Sequence, residues 1–193
     1  MVQRRECGVY GGIDKWLYEA LEQFPINGMR VAVIGSADQG FGPWYECICI
    51  QLGAQPITVE YNPIDFNDTR FTFVHAEQVN ELDEKFDAAF SISSFEHDGL
   101  GRYGDPLSAD ADLNAMRRWR NLIKPGGRMY LAVPIGLDKI VYNSNRIYGR
   151  KRFPELIDGW EVEASFGFEG LCCTNPVRMG LPLSPDGFSL RLL

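Results

Sequence analysis

Apolar positions along the chain follow two rhythms. From Tyr10 to Phe24, Ile13, Trp16, Leu17, Ala20, Leu21 and Phe24 recur at helical spacing, which predicts an amphipathic helix ended by Pro25. A short apolar run follows, Val31-Ala32-Val33-Ile34, and breaks at a glycine-rich stretch carrying Gly35, Gly40 and Gly42. Helical spacing resumes at Pro43, a residue suited to a first helical turn, and stops at Gly53. Pro56 to Glu60, Phe71 to Val74, Phe86 to Ser93 and Arg128 to Val133 read as four further strands. Asp110 to Ile123, with Leu113, Met116, Trp119, Leu122 and Ile123 on one side, reads as a helix stopped by Lys124-Pro125-Gly126-Gly127.

Strands alternating with helices imply parallel pairing through right-handed crossovers, hence an α/β three-layer sandwich. Beyond strand five the pattern weakens. Trp160 to Phe168 and Phe188 to Leu193 are expected as two last strands, with a surface loop from Glu169 to Gly187 and a short helix around Phe153 to Ile157, interrupted by Pro154.

Composition narrows the classes. A chain of 193 residues is most simply one domain, and 45% hydrophobic with 23% charged residues is ordinary for a globular protein. The balance of 19 basic and 26 acidic residues, net −7, argues against a nucleic-acid or anionic-membrane binder. No apolar run is long enough to span a bilayer, and Met1 to Gly12 has no apolar secretion signal. Five cysteines (Cys7, Cys47, Cys49, Cys172, Cys173) show no C-x-x-C pair, which fits reduced thiols, a cytoplasmic location and no structural zinc.

Candidate chemistry gathers at strand ends. The glycines after strand one let a ligand approach the main chain, and the same stretch serves equally as a plain strand-to-helix turn. Glu60, at the end of strand two, is separated from that loop by about the distance of the acid that holds ribose hydroxyls in dinucleotide folds. Strand four runs into Ser94-Phe95-Glu96-His97-Asp98-Gly99-Leu100-Gly101-Arg102-Tyr103-Gly104-Asp105-Pro106. Glu96, His97 and Asp98 are candidate acid–base groups, with His97 suited to a base near neutrality, the alternative being that Glu96 and His97 simply hydrogen-bond the loop. Arg102 and Tyr103 could clamp an anionic or hydroxylated substrate, or Arg102 could pair with Asp98 or Asp105 to order the loop. Arg117, Arg118 and Arg120 read as a solvated helix face. A metal at Glu96-His97-Asp98 is a weak pattern, because adjacent positions make poor ligand sets.

Three features together resemble the class I methyltransferases that use S-adenosylmethionine: VAVIGSADQGFG, TVEYNP, and the pair FDAAFSISSFEH with LIKPGGRMYLAVP. SSFEHDGLGRYGDPL followed by a helix and KPGG more narrowly resembles a domain of unknown function, number 268. The resemblance implies a Rossmann-like, mostly parallel seven-stranded sheet with an antiparallel last strand. It implies a leading helix over 1–28, a cofactor-binding core over 29–135, and substrate-side loops and strands over 136–193. It assigns Gly35, Ser36, Gly40 and Gly42 to the methionine and ribose portion, Glu60 and Tyr61 to ribose and adenine, His75 to Glu77 to the adenine edge, and Ser93 to Phe95 to the methyl side. Tyr142 and Arg146, among the residues after strand five, join Arg102 and Tyr103 as substrate candidates. The chain departs from that pattern at Val33, where an acid is common, at Ala37, where the second glycine often lies, and at His75, where an aspartate is usual.

The expectation is an S-adenosylmethionine-dependent methyltransferase acting on a small hydroxylated or anionic molecule, sugar-containing ones included. Two alternatives stay open: a noncatalytic module of the same fold, and an NAD-dependent oxidoreductase, since Gly35-Ser36-Ala37-Asp38-Gln39-Gly40 fits a loose G-x-A-x-x-G.

Overall fold

The computed structural model describes residues 12–36, 43–64, 68–166 and 185–192, the last run by its backbone. Helix α1 (Gly12–Gln23) precedes β1 (Arg30–Ile34), α2 (Trp44–Gln51), β2 (Gln55–Glu60) and β3 (Thr72–His75). Then come β4 (Phe86–Ile92), α3 (Ala111–Leu122) and β5 (Ile123–Pro134). A hairpin of β6 (Lys139–Val141) and β7 (Asn145–Ile147), helix α4 (Arg152–Leu156), β8 (Trp160–Phe166) and β9 (Pro185–Leu192) complete the described chain.

The described strands form one seven-stranded sheet in the order β3-β2-β1-β4-β5-β9-β8 and a separate β6–β7 pair. β1 runs parallel to β2 and β4, β2 to β3, and β4 to β5, while β9 is antiparallel to both β5 and β8. β1 can sit at the centre because its residues are apolar on both faces. Val31 and Val33 pack with Leu17, Leu21, Trp44 and Ile48 of α1 and α2. Ala32 packs on the opposite face with Phe86, Met116 and Trp119, so each face of the sheet carries a core under its own helices. The expected three-layer α/β architecture is the observed one.

Several boundaries differ from the sequence pattern, each for a local reason. Lys124 to Gly127 do not separate helix from strand: β5 begins at Ile123, directly after α3. Gly126 has φ +77°, and a Cβ on Gly127 would lie 2.6 Å from the Asp87 carbonyl, so both glycines fit the register shift between β4 and β5. The stretch from Tyr142 to Tyr148 is not plain loop, since Asn145–Ile147 form β7. Gly187, taken with the preceding loop, belongs to β9. Pro154 does not interrupt α4, because in the first turn its missing N–H has no intrahelical partner to lose. Gly40, Gly42, Ala37, Cys7, Cys172 and Cys173 lie outside the described residues.

Candidate active site at the strand ends

β1 lies between β2 and β4, so crossovers leave the middle of the sheet in opposite directions and a crevice opens at the carboxyl ends of these strands. A cavity of about 620 Å³ occupies this position, within the roughly 300–1,000 Å³ usual for small-ligand sites. Its walls come from the ends of three strands: Ile34 to Ser36 after β1, Val59 to Asn62 after β2, and Ile92 to Phe95 after β4.

The β1 turn is pressed against the β4 turn. Gly35 has φ +73°, and a Cβ there would stand 2.3 Å from Ser94 Oγ, so only glycine permits the approach. Its N–H donates to the Val59 carbonyl at 3.2 Å, which fixes the turn to β2 and removes that donor from any ligand. Ser93 takes the left-handed region at φ 54°, donates its N–H to the Ala132 carbonyl and its Oγ to Glu96 Oε1 at 2.6 Å. A single 3-10 turn, Phe95–His97, follows.

At the β2 end, Glu60 Oε1 accepts the main-chain N–H groups of Tyr61 (2.7 Å) and Asn62 (3.4 Å). The second oxygen, Oε2, receives no hydrogen bond from a described residue. Burial raises the Glu60 carboxyl above the ordinary range, partly offset by those two N–H donors. Tyr61, 48% exposed, stands edge-on to His75 at 6.0 Å between ring centres. His75 turns Nδ1 to the Glu77 N–H at 3.3 Å.

At the β4 end, His97 Nδ1 lies 2.5 Å from the Ser144 carbonyl, which can only accept. The proton is therefore assigned to Nδ1, which leaves Nε2 unprotonated 3.8 Å from Glu96 Oε1, and desolvation lowers the imidazole pKa, favouring the neutral ring. Asp98, half-buried in the cavity wall, receives no hydrogen bond to its carboxylate from a described residue. Desolvation, then the charges of Asp105 and Asp112, push it up to about 7. Glu96 is fully buried behind Ser93, and burial raises it to about 7.

The cavity thus brings together Gly35, Ser36, Glu60, Tyr61, Ser93, Phe95, His97, Asp98, Arg102 and Tyr103. Four other candidates lie elsewhere. Glu77 is exposed and points its carboxylate toward His75. Glu96 is sealed beneath the wall rather than in it. Tyr142 is 93% exposed on the hairpin. Arg146 is fully buried: it donates to the carbonyls of Asp98, Ser108 and Ala109 and lies 3.6 Å from Asp112 Oδ1, so it ties the hairpin to the loop after β4 and cannot reach a substrate.

Arg118 moves the other way. Expected on a solvated face, it reaches back from α3 to the Ala76 carbonyl and to Asn80 Oδ1 and lines the cavity. Helical periodicity marks Arg118 as polar and carries no signal of this reach. Arg102 contacts Ser144 Oγ at 3.3 Å and lies over the Tyr103 ring, while Asp105 accepts the N–H groups of Gly101 and Tyr103; the loop is ordered by Asp105, not by an Arg102 ion pair. Among the described residues no cluster of metal-ligating side chains occurs, and no helix is long and apolar enough to cross a membrane.

A β3-β2-β1-β4-β5-β9-β8 sheet, with β9 reversed and the cavity over β1, defines the class I methyltransferase-like fold. Solved structures agree. The pyocyanin biosynthetic protein PhzM superposes with a TM-score of 0.61 at 12% identity, over 92% of this chain and 54% of its own. The glycopeptide N-methyltransferase MtfA, solved with S-adenosylmethionine, gives 0.57 at 14% identity over 96% of both chains. N-methyltransferase NodS from Bradyrhizobium japonicum WM9 gives 0.55 at 12% identity, over 92% of this chain and 90% of its own. The chain spans about half the length of PhzM. No curated protein matches the sequence. Within this fold class, the chain belongs to the family described as Caenorhabditis protein of unknown function, DUF268, whose model matches residues 28–174.

Proposed function

We propose that the chain is an S-adenosylmethionine-dependent methyltransferase acting on a small hydroxylated or anionic acceptor. The observation that carries this reading is one cavity joining a Glu60 carboxylate oxygen and an Asp98 carboxyl, neither with a donor among the described residues, to the His97 imidazole. The residues fit an adenosyl ligand. Glu60 Oε2 accepts from a ribose hydroxyl, and Tyr61 and the Arg118-held main chain at Ala76 border the base. The Ser94 side chain fills the space beside Gly35, so the β1 and β4 turns meet without a side chain on Gly35. Binding of S-adenosylmethionine by MtfA, of the same fold, supports the choice of cofactor.

When bound, that cofactor supplies an electrophilic methyl carbon on a sulfonium. The protein's task is then alignment and removal of the acceptor's proton. His97, through Nε2, and Asp98, half-ionised near neutrality, are the two groups able to receive it. Glu96 positions the turn through Ser93, and Arg102 beside Tyr103 offers a cation at the rim to a phosphate or carboxylate on the acceptor.

Calorimetry with S-adenosylmethionine, S-adenosylhomocysteine and NAD tests the reading. Binding of both adenosyl ligands is the expected result, and response to NAD alone would replace it with an oxidoreductase. A noncatalytic module is the second reading, favoured by Val33, which offers no carboxylate and lies in the core under α1 and α2. Silence with all three ligands would favour it.

A further inference from the structure

Glu46, in the first turn of α2, is fully buried, yet only part of its carboxylate is answered. Thr58 Oγ1 donates to Oε1 at 2.7 Å, whereas Oε2 has no hydrogen-bond partner among the described residues; burial raises the carboxyl above its ordinary range, partly offset by the Thr58 and Ser36 hydroxyls. Carboxylates that serve this protein as struts look different. Asp138 accepts the N–H groups of Gly149, Lys151 and Arg152, and Asp112 accepts from Tyr148 and Arg152. A buried carboxylate with an orphan oxygen is costly unless it takes up a proton or positive charge is delivered nearby. Among the described residues no Lys or Arg forms an ion pair with Glu46.

The surroundings indicate where that charge comes from. Ser36 lines the cavity immediately after Gly35, and Thr58 lies on β2 beside Val33 in the strand register. The Gly35–Val59 hydrogen bond keeps this turn next to the strand that ends at Glu60. A ligand whose ribose is held by Glu60 therefore extends past Ser36 on its way toward His97. Ser36, whose hydroxyl lowers the Glu46 carboxyl against the rise from burial, lines the cavity, and its oxygen is an acceptor suited to an ammonium group.

We propose that Glu46 is a positioning residue for the amino-acid end of the adenosyl ligand, acting through Ser36 to make this part of the cavity selective for a cation. The inference rests on the adenosyl-ligand reading of the site. Glu46 is on neither the glycine turn nor a strand end, and in its ionised form it attracts a cation without direct contact.

Calorimetric titration of the wild-type protein with S-adenosylhomocysteine and with 5′-methylthioadenosine, which lacks the amino-acid end, tests it. Glu46→Gln keeps the shape and removes the charge. Affinity for S-adenosylhomocysteine should fall at least about tenfold, the scale of a charge-assisted hydrogen bond, with methylthioadenosine changed less than about twofold. Glu46→Asp should retain the preference between the two ligands. If Glu46→Gln fails to fold, Ser36→Ala must give the same selective loss. Equal loss for both ligands, or no loss, overturns the proposal while leaving the adenosyl site in place. A wild-type protein that binds neither ligand overturns the site and this inference together.

Discussion

Asp112 accepts hydrogen bonds from Tyr148 Oη and Arg152 and lies 3.6 Å from Arg146 Nε, whereas Asp98, at the other end of the same loop, receives none from a described residue. Both are acids taken from water by the same fold. Around Asp112 two guanidiniums and a phenol answer the charge and fasten α3, α4 and the β6–β7 hairpin together. Around Asp98 desolvation and the like charges of Asp105 and Asp112 outweigh the Arg146 guanidinium, and the carboxyl rises to about 7. The contrast separates a strut from a carboxyl without donors among the described residues, and what decides between them is the set of donors rather than the residue type.

The sharpest way to break the comparison is to remove the strut. Asp112→Ala leaves Arg146 buried and unpaired and should destabilise the fold by about 3–5 kcal/mol, read by urea denaturation; a change below about 1 kcal/mol would mean that the network is incidental. Next come the cavity groups. Of His97→Ala and Asp98→Asn, at least one should lower methyl transfer by about 10²–10⁴-fold, the range of a general base, and the larger loss identifies that base. Asp98→Asn also has a pH signature. A carboxyl raised from 3.8 to about 7 on folding keeps its proton in the native state where the unfolded chain has lost it, so its contribution to stability falls as pH rises between those values. The variant should therefore gain stability relative to wild type from pH 4 to pH 7, and a constant difference across that window would deny Asp98 its shift.

Glu60→Ala should weaken S-adenosylmethionine at least about tenfold, as loss of one charge-assisted hydrogen bond does, without moving the melting temperature; unchanged affinity in calorimetry would remove Glu60 from the ribose. The smallest effect is expected at Tyr142, 93% exposed and off the cavity. Tyr142→Ser should leave melting temperature and ligand affinity at wild-type values, and a change in affinity would bring the hairpin into the site.

The order of elements, the buried central strand and the strand-end positions of Glu60 and His97 were legible in the sequence, because apolar periodicity and glycine punctuation are local signals that survive in one dimension. The same signals located the turn at Gly35 and the acid-rich loop after β4. They could not assign partners. Arg118 and Arg146 look alike in the sequence, two polar arginines, yet one lines the cavity and the other is a sealed tie, because each guanidinium is placed by carbonyls and carboxylates far along the chain. Nor could spacing show that Glu46, an ordinary helix acid by pattern, is buried beneath the cavity wall with an oxygen unanswered. Hydrophobic pattern fixes which face of an element turns inward; the charge state and partners of what lies there depend on desolvation and on neighbours supplied only when the layers close.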